Sequence, residues 1–358
     1  MPTWLQPYAT AEVSAFAPDF KTPRVQQASL SMEREVSRGL TGTVSYLYVH
    51  GVDMIRAEDV NLPPPTYYSY PIYDPTGSTF QNAFYNVQSF ATWQTSASIS
   101  CPYPPCINPL ARPIPQLGAV DQFQSAGASF YNGMTVSLRK RMSKGMDFRL
   151  AYTWAHAIDN GQDAPTTTTS TVQNPFAPKL EKASSVTDQR QRLSISGIEE
   201  PNPFAGGQKV LAALFDHWKI SGIMTFGSGR PANATVEGDP NQDGNLGNDR
   251  LAGYGRNAFT GPDYATMDLR LGRTLNLGEH LHLQLNAESF NLFNRDNQTY
   301  QVSDNGYYNL AGQFIKYTQY PVSGGAPYPA YYQQPASLMK PMGAFAPRQM
   351  QMSMRLNF

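Results

Sequence analysis

The feature that most limits what this chain can fold into is alternation sustained over long runs. In MDFRLAYTWAH (146–156), Met146, Phe148, Leu150, Tyr152 and Trp154 alternate with Asp147, Arg149, Ala151, Thr153 and Ala155. Successive side chains of a strand point to opposite faces, so this run reads as a strand with one apolar and one polar face. Just before it, YNGMTVSLRKRM (131–142) sets Met134, Val136, Leu138 and Met142 against Thr135, Ser137, Arg139 and Arg141. Ser143-Lys144-Gly145 joins the two as a hairpin.

Seven more runs follow the rule. They lie at 25–36, 40–50, 190–200, 217–228, 265–275, 281–289 and 348–358. The last carries Met350, Met352, Met354, Leu356 and Phe358 on one face and Gln349, Gln351, Ser353, Arg355 and Asn357 on the other. Such runs of about ten residues exceed the usual five or six of a strand. Their connections alternate in length. Short ones fall at 37–39, 143–145, 201–208 and 276–280, and long ones at 51–130, 157–189, 229–264 and 290–346. In a meander this sends every long loop to one edge of the sheet and every tight turn to the other.

Composition supports strands. Charged residues are 15% of 358 and the formal net charge is zero, which gives no basic surface for nucleic acid. Tyr, Phe, Gln, Asn, Ser, Thr, Gly and Pro fill the gap, and no apolar run is long enough to cross a bilayer as a helix. MPTWLQPYATAEV has neither the basic start nor the apolar core of a signal peptide.

Together these point to an all-β fold: an antiparallel transmembrane β-barrel with long extracellular loops and short periplasmic turns. About ten tilted residues cross the hydrocarbon layer, and the backbone polar groups must pair in a closed sheet because no water reaches them. Arg139, Arg149, Asp268, Arg270 and Glu288 fall on the polar, inward face; Tyr46, Tyr48, Tyr152, Trp154 and Trp218 suit an aromatic girdle. A soluble β-sandwich also alternates, and stays as the alternative. Nine strands is an odd number, whereas bacterial single-chain barrels are even, so further strands are expected, either inside 51–130 or upstream of residue 1.

In order along the chain come YNGMTVSLRKRMSKGMDFRLAYTWAHAID, DQRQRLSISGI, HWKISGIMTFGSGRP, DGNLGNDR, MDLRLGRTLNLGEHLHLQLNAESFNLFNRDN and MRLNF. This succession resembles the C-terminal barrel half of TonB-dependent outer-membrane receptors, of the Oar-like type with a carboxypeptidase-regulatory-like N-terminal domain. The resemblance covers 25–358, with 1–24 expected as an extracellular loop remnant. It implies a plugged barrel of about 22 strands that takes up a scarce nutrient using energy passed by TonB. No stretch is read as the signal sequence, TonB-contacting box or plug of that family, so a partial sequence that does not transport alone is expected. Implied partners are outer-membrane lipid, the barrel-assembly machinery reading the terminal Met354, Leu356 and Phe358, TonB and a plug outside this chain, and a siderophore, carbohydrate or peptide ligand. A surface adhesion barrel without transport is the second reading.

Candidate sites are few. In DPNQDGNLGND (239–249), Asp239, Asn241, Asp243 and Asn245 alternate around Gly244 as oxygen ligands of a Ca²⁺ loop do, with Asp249 nearby. Position twelve is Arg250 rather than Glu, so this is no EF-hand, and a polar surface turn is the other reading. No other cofactor is expected. Cys101 and Cys106, in CPYPPC, have the spacing of a small disulfide loop if exported. FGSGRP lacks a nucleophile elbow, GYGRNA follows no buried strand, and His280 and His282 sit two apart across a turn. No catalytic residues are assigned and an enzyme is not expected. The aromatic, amide-rich stretch 297–334 suits either contact with a sugar or peptide or a plain loop.

Overall fold

Each alternating run becomes a strand, and the nine form one continuous antiparallel wall. The computed structural model describes residues 11–73, 80–90, 93–94, 106–107, 112–143, 145–161, 172–204, 207, 209–233, 241, 243–245, 248–250, 254–278, 280–300, 306–308, 314–316, 332–333 and 341–358. The wall runs β1 (Arg24–Ser37), β2 (Leu40–Asp59), β3 (Leu117–Ser143), β4 (Met146–Asp159), β5 (Gln191–Glu199), β6 (Trp218–Gly227), β7 (Tyr264–Asn276), β8 (His282–Phe290) and β9 (Gln349–Asn357). Every strand pairs with its predecessor, in chain order. Two short strands attach at the side: Ala11–Phe16 runs parallel to the start of β3, and Ala183–Ser184 extends β4.

The register keeps the two faces distinct across the wall. One face carries the row Met32, Val44, Val136, Tyr152, Leu193, Phe226, and another of Leu138, Leu150, Ile195, Met224, Met267. Towards β9 it continues through Leu271, Ala287 and Met352. The opposite face carries the row Asp147, Ile198, Ser221, Arg270, Glu288, Gln351.

Among the described residues, none covers the apolar face. Leu30 is 75% exposed and Met352 87%, whereas among the described residues the buried apolar ones are Ala17, Ala57, Leu62, Phe90, Ala155 and Val172. The other sheets among the described residues have two or three strands. A sandwich would bury this face under a second sheet. Burying a side chain of this size is worth about 1.5–3 kcal/mol, so a whole face left out of water's reach only by lipid is the consistent state.

Three differences from the expected boundaries stand out. First, β2 and β3 run on past residue 50 and begin before 131, pairing Met54 with Gly127, Ala57 with Phe123 and Asp59 with Asp121 through register shifts near Met54. Alternation of apolar residues marks the part of a strand that meets lipid; pairing itself needs no such pattern, so the sequence understated these strands. Loop 51–130 shrinks to 60–116, and its own hairpin, Thr66–Tyr73 with Phe80–Ser89, lies in a separate sheet rather than in the wall. Second, the connection expected at 201–208 extends to 217 and contains a helix, Lys209–Phe215. Third, the segment expected as loop before residue 25 includes the strand Ala11–Phe16.

At the opposite end the turns are tight. Gly145 has φ +78, and a Cβ there would strike the Glu200 carbonyl oxygen, so no other residue fits that turn without a shift. Glu200 N–H donates to the Gly145 carbonyl at 2.7 Å, stitching two neighbouring turns. The FNLFN motif ends β8 for an equally local reason. Asn291 and Asn294 both have φ +50, a region asparagine tolerates best after glycine. Asn291 N–H donates to Asp268 Oδ1 at 2.9 Å, and Arg348 N–H donates to Asn294 Oδ1 at 2.9 Å. The motif thus closes β8 and seats the start of β9, across a connection of more than fifty residues.

Candidate functional site

Two regions carry polar chemistry: the polar face of the wall and the roots of the long loops. On the polar face, a groove of about 510 Å³ is bordered by Arg149, Ser221, Ile223, Asp268, Arg270 and Glu288. Arg270 Nε pairs with Glu288 at 3.1 Å, and Glu288 also accepts from Gln351 Nε2. Arg139 and Arg149 stand directly opposite one another across β3 and β4. The groove therefore sets cations, carboxylates and hydroxyls beside the apolar Ile198, Ile223, Leu269 and Phe290, a mixed lining on the face turned away from lipid.

The loop roots are held by buried ion pairs. Arg112, from the connection after β2, reaches three partners: Asp59 Oδ2 at 2.7 Å, the Asn61 carbonyl at 3.2 Å and the Asp243 carbonyl at 2.6 Å. Arg250 holds Glu181 by two parallel bonds of 2.7 Å, the bidentate geometry that makes a guanidinium–carboxylate pair strong. Arg256 pairs with Asp159 at the end of β4 and donates to the Glu181 carbonyl at 3.3 Å. All of these side chains except Asp159 are largely buried. Three arginines therefore join the connections after β2, β4 and β6 into one cap beside the end of the wall.

Asp243 lies in the middle of this cap. Its carboxylate accepts from Asn245 N–H at 2.6 Å, Asn248 Nδ2 at 2.9 Å and Asn241 Nδ2 at 3.2 Å. Burial pushes its pKa from 3.8 up to about 6; the three donors oppose that rise and the Asp59 charge adds to it.

Of the expected calcium ligands, Asn241, Asp243, Asn245 and Asp249 are brought into this cap, while Asp239 lies outside the described residues. Three donors already point at the Asp243 carboxylate, and no group of three His, Cys, Asp or Glu side chains among the described residues is arranged to hold a metal. Cys101 lies outside the described residues, so the expected pairing with Cys106 does too. Most of 297–334 also lies outside them. His282 Nδ1 is 2.8 Å from Asn276 Oδ1 across the β7–β8 turn. Met354, Leu356 and Phe358 share the exposed face of β9 and the terminus beyond it, with Phe358 97% exposed.

Sequence reasoning missed Asp59, Arg112, Asp159, Glu181 and Arg256. Isolated charges in long polar segments carry no periodic signal. One hint was present: in so charge-poor a chain, a loop arginine such as Arg112, among prolines and far from any other cation, needs a reason.

The family profile described as "Outer membrane beta barrel domain" matches residues 3–254 and 247–314. No curated protein sequence matches the chain. Among solved structures, it is similar to the outer membrane transporter YddB from Escherichia coli, at 9% identity and TM-score 0.43, covering 82% of this chain and 32% of that one. It is similar to the ferric-catecholate import receptor Fiu from Escherichia coli K12, at 12% identity and TM-score 0.41, covering 95% and 28%. The pyoverdine outer membrane receptor FpvA from Pseudomonas aeruginosa PAO1 gives 10% identity and TM-score 0.42, covering 95% and 30%. The chain thus spans 28–32% of the length of these three proteins.

Proposed function

The chain belongs to the outer membrane beta barrel domain family, and from that premise we propose that it is the C-terminal wall of a TonB-dependent transporter of the Oar-like type. It resides in the outer membrane, with its apolar face towards lipid. The observation that carries the finer reading is the ordered series of motifs ending in FNLFN, which closes β8 and seats β9, and MRLNF, which lies at the end of β9. The polar face with Arg149, Asp268, Arg270 and Glu288 supports an interior built to hold a plug and pass a solute. Residues 25–358 supply the barrel portion and 1–24 an extracellular segment. The cargo is a scarce nutrient of siderophore, carbohydrate or peptide type. The activity is transport rather than enzymatic chemistry, and it requires a plug and TonB contact from outside this stretch.

Uptake tests this directly. Cells lacking the gene and cells lacking TonB should share one defect on a panel of ferric siderophores, oligosaccharides and peptides, and the double deletion should be no worse. Normal uptake of the whole panel in the gene deletion, alongside lost attachment to surfaces, would replace transport with adhesion.

The terminal strand carries the assembly signal in this reading, with Met354, Leu356 and Phe358 presented on one open face. Deleting Phe358 is expected to lower outer-membrane insertion and raise periplasmic degradation. Unchanged yield of folded, heat-modifiable protein would remove that role from the residue.

A further inference from the structure

The connection between β5 and β6 is a folded knob on the short-turn end of the wall. Asp216 is buried and accepts the Phe204 N–H at 3.0 Å; Asn202 Oδ1 accepts the His217 N–H at 3.1 Å. The Phe204 and Phe215 rings meet at 5.8 Å. These contacts fix the helix Lys209–Phe215, whose sequence is KVLAALF. Val210, Leu211, Leu214 and Phe215 fall on one side of it, at the i, i+1, i+4, i+5 spacing of an apolar face. That side is open: Val210 is 71% exposed, Leu214 54% and Phe215 53%.

The helix is tied to the lipid-facing surface. The Trp218 indole N–H donates to the Leu214 carbonyl at 3.0 Å. Trp218 has the same strand parity as Ile220, Met224 and Phe226, so it stands on the apolar face of β6. Arg273, its partner on β7, lies over the indole ring at 5.1 Å. An indole with a cation stacked on it, at the end of an apolar strand face, marks the depth where hydrocarbon gives way to phosphate headgroups.

We propose that Lys209–Phe215 is an interfacial anchor: its Val210, Leu211, Leu214 and Phe215 face enters the headgroup–acyl boundary of the periplasmic-side phospholipid leaflet, beside Trp218. The occupant is lipid because the helix face continues the lipid-facing surface of β6 through the Trp218–Leu214 bond. Interfacial helices of this kind sit roughly 5–10 Å into that boundary. The assignment rests on the barrel reading for its lipid, and it adds a contact that the strands alone do not make.

Nitroxide labels test it in the protein assembled into phosphatidylethanolamine–phosphatidylglycerol vesicles. The background carries Cys101→Ser and Cys106→Ser, with Val210→Cys or Leu214→Cys as reporters. Met352→Cys serves as the mid-wall reference and Gly278→Cys, in the neighbouring β7–β8 turn, as the water reference. Labels at 210 and 214 should collide several-fold more with oxygen than with a nickel chelate, as at 352, while 278 shows the reverse. Chelate-dominated collisions at 210 and 214, with 352 still oxygen-dominated, would overturn the anchor and leave the barrel standing. Chelate-dominated collisions at 352 as well would overturn the barrel reading instead.

Discussion

Asp243 shows how a single residue sets the character of the cap. A buried carboxyl whose pKa is raised from 3.8 to about 6 is a weaker acid, and between these values it holds a proton in the closed cap that it would release in an opened loop. Closure is therefore favoured as pH falls through 6 towards 4, and the full cost of the buried charge applies above 6. Two units correspond to about 3 kcal/mol as an upper bound. Arg112 does not cancel this, because its guanidinium spends its bonds on the Asp59 carboxylate and on the Asp243 backbone carbonyl rather than on the Asp243 side chain. Amide exchange in 241–250, corrected for its intrinsic pH dependence, should slow between pH 7 and pH 5. Asp243→Asn should flatten that trend. A wild-type profile that is already flat would show the cap insensitive to this carboxylate. Gly244, at φ +91 with Arg112 Nη2 only 3.2 Å from where a Cβ would stand, explains why glycine occupies the turn that presents Asp243.

Among the elements, β9 separates the two faces most cleanly. Met352 lies at mid-strand on the apolar face beside Ala287, and Ser353 lies on the polar face beside Asn286, whose Nδ2 donates to the serine hydroxyl at 3.1 Å. Arginine on the lipid face near the midplane costs about 2–4 kcal/mol, and much less on the lumen face. Met352→Arg is thus expected to cut the yield of folded, heat-modifiable protein, and Ser353→Arg to leave it near wild type. Equal losses would mean that the two faces do not meet different solvents. All nine strands were legible in the sequence because lipid imposes period two on the residues it touches. The outer reaches of β2 and β3 were not, since above the lipid that pressure is gone and Arg56, Glu58 and Asp59 are held by ion pairs instead. The Lys209–Phe215 helix escaped for another reason: seven residues are too few for a helical period to rise above the strand pattern on either side. The cap arginines escaped because their acids lie far off in sequence, Glu181 being 69 residues from Arg250.

At the scale of the whole molecule, the direction of the strands decides what the wall needs. Nine strands in strict antiparallel succession leave β1 and β9 running in the same sense. If these two met, the seam would be a parallel pair in an otherwise antiparallel sheet. An antiparallel ring requires an odd number of additional strands between them, which agrees with the even totals of bacterial single-chain barrels. Leaving the edges bare is worse, because each unpaired N–H or C=O in hydrocarbon costs several kcal/mol, and along the nine residues of β9 every second one turns its backbone groups away from β8. Both edges are therefore expected to be paired in the membrane by strands other than these nine. Hydrogen exchange in lipid reads this out: amides of Gln349–Asn357 that point away from β8 should be as protected as those of β5 and β6 in the middle of the wall. Rapid exchange at alternate residues along β9 would show an open edge, and with it a wall that reaches the outer membrane without closing into a ring.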